Sequence, residues 1–388
     1  MTKTLKGVLI PGLLSLLVLA GCSSNPNAIE PKPVPDVNGI YSVDRLWHSG
    51  AGDGVGDSDM TLRPAVTEQR VFAADVDGDV YGFTREDGDR VWHEDTDDHI
   101  VGGLYAGYGQ VLYSTREGQL VALDASDGHE LWRTQLSSEM LAPATSNGVY
   151  VVAQTQDGHV LALDPSTGKQ LWDYETSVPN LTLLGMAQPV IANGHVYAGF
   201  ASGKVACLDL TTGAPVWEQR VAEPKGRSEL DRLVDVDSSL IVSNGGVFTA
   251  TFQGDIAVLD WDNGRPYWSK EISTHQVLSH DASTIYVATT DGMVRAVDMR
   301  SGSFLWQQDK LYGRRLTGTA VQDGLVVVGD YEGWLYWMDP TSGKLVARYH
   351  HDRDGFSASP VVYDDVLYAL SGDGELAAYT IAKDDDED

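Results

Sequence analysis

Few residues in this chain are of a type and spacing that could do chemistry. There are two cysteines, Cys22 and Cys207, and ten histidines. Asp75, Asp77 and Asp79 alternate as in a calcium loop, but an EF-hand loop is longer and ends in Glu. Asp77-Gly78 reads instead as a tight turn between strands. His350-His351-Asp352 could hold a metal, yet adjacent residues on a strand face opposite sides. His275 and His280 have no cysteine or carboxylate at ligand spacing. Gly-x-Ser-x-Gly, His-Glu-x-x-His and phosphate-loop patterns do not occur. The sequence therefore predicts no catalytic residue, no cofactor and no metal site.

The ends of the chain carry address and tether signals. Lys3 and Lys6 precede an apolar run from Gly7 to Ala20 that is short for a membrane span. The run closes in Leu19-Ala20-Gly21-Cys22, which resembles the lipobox of bacterial lipoproteins. Residues 1–21 are then a signal peptide and Cys22 a lipidated N-terminus. Ser23 rather than Asp follows the cysteine, which by the sorting rules of such proteins points to the outer membrane. Lipidation would leave Cys207 alone, with no intramolecular disulfide. Residues 22–42, with Pro31, Pro33 and Pro35, read as a flexible tether. Residues 383–388 read as an acidic, disordered tail. The formal net charge of −29 disfavours nucleic acid and anionic lipid as partners.

Between the ends, from about residue 60, one unit recurs. Its clearest copy runs Gly148-Val149-Tyr150, Asp157-Gly158, Leu161-Ala162-Leu163-Asp164, then Thr167-Gly168-Lys169-Gln170-Leu171-Trp172. The turn glycine returns at 78, 118, 158, 203, 254, 292, 333 and 374, at spacings of 40, 40, 45, 51, 38, 41 and 41. The closing tryptophan returns at 92, 132, 172, 217, 268 and 306. Short apolar runs bounded by Asp-Gly are strands joined by hairpins. A unit of about 40 residues with four such strands is a propeller blade. The prediction is an all-β chain whose residues 43–382 form an eight-bladed β-propeller, four antiparallel strands per blade. The seventh copy has Val346 where Trp is expected, and the eighth ends before its closing strand. Arg45-Leu46-Trp47 supplies that strand, so the N-terminal strand closes the ring and hides an edge.

The Ala-x-Asp-x-x-Thr-Gly-x-x-x-Trp repeat resembles the tryptophan-docking repeat of quinoprotein dehydrogenases. With the lipobox, length and blade number, the chain resembles the BamB family, lipoprotein subunits of the outer-membrane β-barrel assembly machinery. That family presents a Leu-x-Leu-Arg-Gly loop beside an Asp-Arg-Leu-x-Asp-Val-Asp loop. Together they meet the periplasmic domains of the barrel-forming subunit, BamA. Leu181 and Leu183 match the first loop, with Leu184 at the Arg position; Arg232, Asp235 and Asp237 match the second. The same segments, 180–186 and 229–237, stand out without the family because the repeat lengthens there. Insertions in repeat proteins gather on one face, often a binding face, and leucines beside charges suit an apolar anchor within a polar rim. The alternative is that these leucines tuck under their own blade.

The resemblance implies a non-catalytic scaffold at the periplasmic face of the outer membrane. Its partners would be BamA, the other assembly subunits and unfolded outer-membrane proteins. The competing readings are a periplasmic quinoprotein-like dehydrogenase and another periplasmic ligand-binding lipoprotein. The dehydrogenases resemble one another in a vicinal cysteine pair over the cofactor, and Cys207 has no neighbour to pair with.

Overall fold

The computed structural model describes residues 29–56, 60–179, 181–182, 186–223, 234–236, 238–356 and 358–384. Cys22 and the tail beyond Asp384 lie outside them. Among the described residues every element is a strand, and the strands form eight four-stranded antiparallel sheets. The predicted eight-bladed propeller is thus observed. Blades 1 to 7 span residues 65–95, 100–135, 145–175, 190–220, 241–271, 279–308 and 320–350. Within each, the chain runs from an innermost first strand to an outermost fourth. Middle strands are buried on both faces because each blade stacks between two others. In Arg70–Ala74, for example, the last four residues are at most 1 % exposed.

Blade 8 is built from both ends of the chain. Its outermost strand is Tyr41–Gly50, antiparallel to Glu375–Lys383 from Tyr41↔Lys383 to Gly50↔Glu375, with a bulge between Arg45 and Trp47. The bulge keeps Trp47 facing the core, 8 % exposed.

The recurring tryptophans are cross-blade bolts. Each lies on the fourth strand of one blade, and its indole N–H donates to a carbonyl in the last turn of the next. Trp172 reaches Leu210 O at 2.8 Å, Trp132 reaches Pro165 O at 2.8 Å, and Trp47 reaches Arg85 O at 3.1 Å. The ring lies flat on that turn's glycine: a Cβ built on Gly213 would stand 2.6 Å from Trp172. The seven docking glycines all have φ between +66° and +85°, so both conformation and contact demand glycine. An aspartate wraps the same turn. Asp164 Oδ1 accepts the N–H groups of Ser166 and Thr167 at 2.9 and 3.0 Å. The hydroxyls of Ser166 and Thr167, then those amides, hold its carboxyl below the usual range. At about 150–250 Å² buried per large aromatic ring, each bolt contributes about 4–6 kcal/mol of gross burial energy.

The junction between blades 7 and 8 is different. Val346 replaces tryptophan because blade 8 has no third-to-fourth-strand turn to dock on: the chain's ends meet there. Asp384 N–H donates to Ile40 O at 2.8 Å. Gly39 lies so close to the Val346 carbonyl that a Cβ would fall 1.6 Å from its oxygen. Residues 32–40, read from composition as tether, run along blade 7's outer strand. Lys32 N–H donates to Tyr312 O at 2.9 Å, and Arg314 to Lys32 O at 3.0 Å. Arg348 donates to Pro35 O at 2.5 Å. A proline-rich chain offers carbonyls with few amides to satisfy, which suits it to arginine donors. Inside the seam Trp337 takes over, donating to Gln322 Oε1 at 2.8 Å, while Gln322 donates to Tyr379 O at 2.8 Å.

Candidate docking face on blades three to five

The connectors from one blade's fourth strand to the next blade's first share a face with the Asp-Gly turns. Connector amides donate to the turn-glycine carbonyl at Thr96→Gly78, Leu136→Gly118, Thr176→Gly158 and Val221→Gly203. Blade geometry therefore delivers the described residues of both lengthened segments, 176–189 and 221–240, to one face and to adjacent junctions.

The first segment leaves blade 3 at Glu175. Val178 packs beside Gly158, whose built Cβ would stand 3.0 Å from Val178 Cγ1. Leu181 then emerges, 41 % exposed, one of thirteen large apolar side chains in the open among the described residues. The segment returns through Ala187, fully buried, and Gln188, which donates to Ala144 O at 3.1 Å. Leu181 is thus exposed, as the binding reading requires. Leu183 and Leu184 lie outside the described residues.

The second segment is held from beneath. Val234, Asp235 and Val236 are 4 %, 2 % and 1 % exposed. Val236 fills the space above Gly199, where a Cβ would come within 2.4 Å of Val236 Cγ1. Asp235 O accepts from Phe252 N–H at 3.0 Å. Ser238 bridges Ala250, donating to its carbonyl at 2.7 Å and accepting its N–H at 2.9 Å. Asp235 was expected in an exposed charged rim. It is instead buried between blades 4 and 5, because the valines on either side of it are drawn into the junction. Arg232 and Asp237 lie outside the described residues.

Beneath the two segments, Gln154, Thr182, Met186, Phe200 and Val236 line a cleft of about 20 Å³. A water needs about 10–15 Å³, and a small-molecule site several hundred. The face is shaped for surface contact rather than for enclosing a ligand. Tyr174 steadies the junction by donating to Glu218 at 2.7 Å. Burial first, then Glu218, pushes the phenol up to about 12.

The residues with chemical potential have packing roles. Asp75 is 2 % exposed; its Oδ1 accepts the N–H groups of Asp77, Gly78 and Asp79 at 3.1, 3.0 and 2.9 Å. Cys207 is fully buried, and burial pushes its thiol up to about 12, far from nucleophilic. His350 lies 4.6 Å from the Trp334 ring at the surface, whereas His351 is buried against Phe356 and Tyr379, on the opposite face as predicted. Two groups that the sequence reading did not raise bring metal-capable atoms within 4.8 Å: Asp124, Asp127 and His129, and Asp352, Asp354 and Asp373. Both are turn residues with exposed members. The second is split between two repeats, so only the Asp352-x-Asp354 spacing was visible in the sequence.

Comparisons with known proteins agree with this geometry. The family model "Outer membrane protein assembly factor BamB" matches residues 77–308 and 290–385. A relative of that name from Pseudomonas aeruginosa is 47 % identical over 371 residues, covering 95 % of this chain and 98 % of the relative. The crystal structure of BamB from Moraxella catarrhalis superposes with a TM-score of 0.80 at 30 % identity, over 87 % of this chain and all of that one. The quinohemoprotein alcohol dehydrogenase from Comamonas testosteroni superposes at 0.71 but is 14 % identical, over 87 % of this chain and 76 % of that one; that likeness concerns the fold alone. By identity, coverage and repeat architecture, the chain belongs to the outer membrane protein assembly factor BamB family.

Proposed function

We propose that the chain is a non-catalytic accessory factor of outer-membrane protein assembly, held at the periplasmic face of the outer membrane by a lipid on Cys22. It docks through the face described above on the periplasmic domains of the barrel-forming subunit, BamA. Leu181, Leu183 and Leu184 form the apolar anchor, Arg232 and Asp237 the charged rim, and Asp235 supports the rim from below. The observation that carries this reading is the exposure of Leu181 on a long connector beside a second long connector fixed by Val234 and Val236. Buried apolar anchors dominate interface energies, and truncating one costs about 2 kcal/mol or more. The outermost strands add a further surface. The residue before each docking tryptophan, such as Leu46, Val91, Leu171 and Val216, is 39–60 % exposed beside an open strand edge. Such edges suit added strands from unfolded outer-membrane proteins.

The test is affinity capture of a C-terminally tagged copy from solubilised outer membrane, comparing wild type with Leu181→Ala/Leu183→Ala. Recovery of the barrel subunit should fall at least tenfold in the double variant. Undiminished recovery would move the docking site elsewhere. Absence of any barrel partner from the wild-type capture would overturn the assembly reading.

A further inference from the structure

The eight blades share a position four residues before the turn glycine, where the second strand reaches the connectors. Its ladder partner is equivalent from blade to blade, as in Ala74↔Val80, Gln154↔Val160, Gly199↔Val205 and Ala288↔Val294. Seven blades place alanine, serine, glycine or leucine there, and Gln154 in blade 3 is the one amide. It is 3 % exposed. Its Nε2 donates at 2.6 Å to the carbonyl of Gly199, the same position in blade 4.

In the later blades a connector hydroxyl serves this position. Ser238 donates to the Ala250 carbonyl at 2.7 Å, Thr274 donates to the Ala288 carbonyl at 2.6 Å, and Thr317 accepts the Gly329 N–H at 2.9 Å. At Gly199 the amide of the preceding blade takes that role, and Gly199 is where both long connectors rest. A Cβ built there would stand 2.4 Å from Val236 and 3.2 Å from Ala187, one from each connector. The other end of the amide, Oε1, is buried and accepts no hydrogen bond from the protein. Gln154 lines the cleft of about 20 Å³ whose walls also include Thr155, Thr182, Met186 and Asp235. Leaving a buried acceptor unsatisfied is costly, and a cleft of this size with polar walls has room for one water.

We infer that Gln154 is the positioning residue of both long connectors, acting with one water bound at its Oε1. The amide fixes Gly199 from blade 3, and the water carries hydrogen bonding on from Oε1 to the connector walls of the cleft. The bearing of this clamp on docking rests on the function proposed above, whereas the clamp itself is a property of the free protein.

Two measurements on the purified mature protein test it without any partner. A high-resolution crystal structure should show a water within about 3.2 Å of Gln154 Oε1. In hydrogen exchange, Gln154→Leu should speed the amides of 186–189 and 234–236 about tenfold and leave those of 325–329 unchanged. Gln322→Leu removes an equally buried glutamine at the seam; it should lower the melting midpoint yet leave both connectors protected. Connectors that exchange at the wild-type rate in Gln154→Leu, or an Oε1 with no water in reach, would overturn the clamp. So would Gln322→Leu loosening the connectors to the same degree. If Gln154→Leu does not fold, Gln154→Met, which keeps the length without donor or acceptor, takes its place under the same criterion. Loosened connectors with undiminished recovery of the barrel subunit would leave the clamp standing and move the docking site elsewhere.

Discussion

Seven blade junctions and one seam solve the same packing problem by different means. At the seven, a tryptophan from one blade lies on a glycine of the next, and the residue before it stays in solvent. At the seam, Leu345, Val346 and Ala347 are all buried, at 5 %, 8 % and 4 %, and an N-terminal segment covers them. A repeat can use one interlock only where the receiving turn exists. Where the ends of the chain replace that turn, the interlock is rebuilt from Trp337, Gln322 and two arginines. Junction strength thus depends on what the neighbouring blade offers as much as on the blade that carries the tryptophan.

The comparison can be broken at its strongest point first. Trp172→Ala should cost about 3–5 kcal/mol, whereas Val346→Ala should cost about 0.5–1.5 kcal/mol; denaturant midpoints for the two variants measure the difference. Equal losses would show that the tryptophans are not the dominant bolts. Next comes Gly39→Ala, which forces a methyl onto the Val346 carbonyl. It should cost about 1–3 kcal/mol and expose residues 31–40 to limited proteolysis while blades 1 to 6 resist. Cleavage no faster than in wild type would mean the segment's hold does not depend on that contact.

The smallest effect is a pH dependence confined to the seam. Burial lowers the pKa of His351 from its ordinary 6.5, while Asp352 and Glu375 oppose the shift. Its ring nitrogens meet Tyr379 Oη and the Glu375 carbonyl. The fold favours neutral imidazole, so the unfolded chain binds more protons. The stabilisation is complete above about pH 6.5 and declines as pH falls toward the depressed folded value. Melting midpoints at pH 7.5 and 5.5 should therefore differ less in His351→Gln than in wild type. Parallel pH profiles would remove His351 as the cause.

Blade count, closure and turn chemistry were legible because each rests on a residue type with one physical use. Glycine marks a positive φ, tryptophan a docked ring, and aspartate a wrapped turn. Val346 was legible as a departure, but its cause was not, since it lies in a turn missing some forty residues away. The seating of residues 32–40 was invisible for a related reason. Prolines announce extension, while the donors that fix it, Arg314 and Arg348, come from blades near the far end of the chain. The lengthened connector that carries Leu181 was legible from the repeat spacing, but the spacing alone left open whether the leucine faces solvent or its own blade. Asp235 was misread because a charged, alternating segment resembles a rim, and nothing local reveals that Gly199 leaves a slot for the valine beside it.

Closure by a strand from the opposite end also governs how the molecule can be made. The residues paired across blade 8 lie 325 to 342 positions apart, so uniting them carries a chain-entropy cost about 3 kcal/mol above that of a roughly ten-residue hairpin loop. Such long-range pairing slows folding. Seven blades can zip from local hairpins, but the eighth must await both ends. Until then the assembling chain is an open arc with two unsatisfied sheet edges, and ring closure is the step at which folding and aggregation compete.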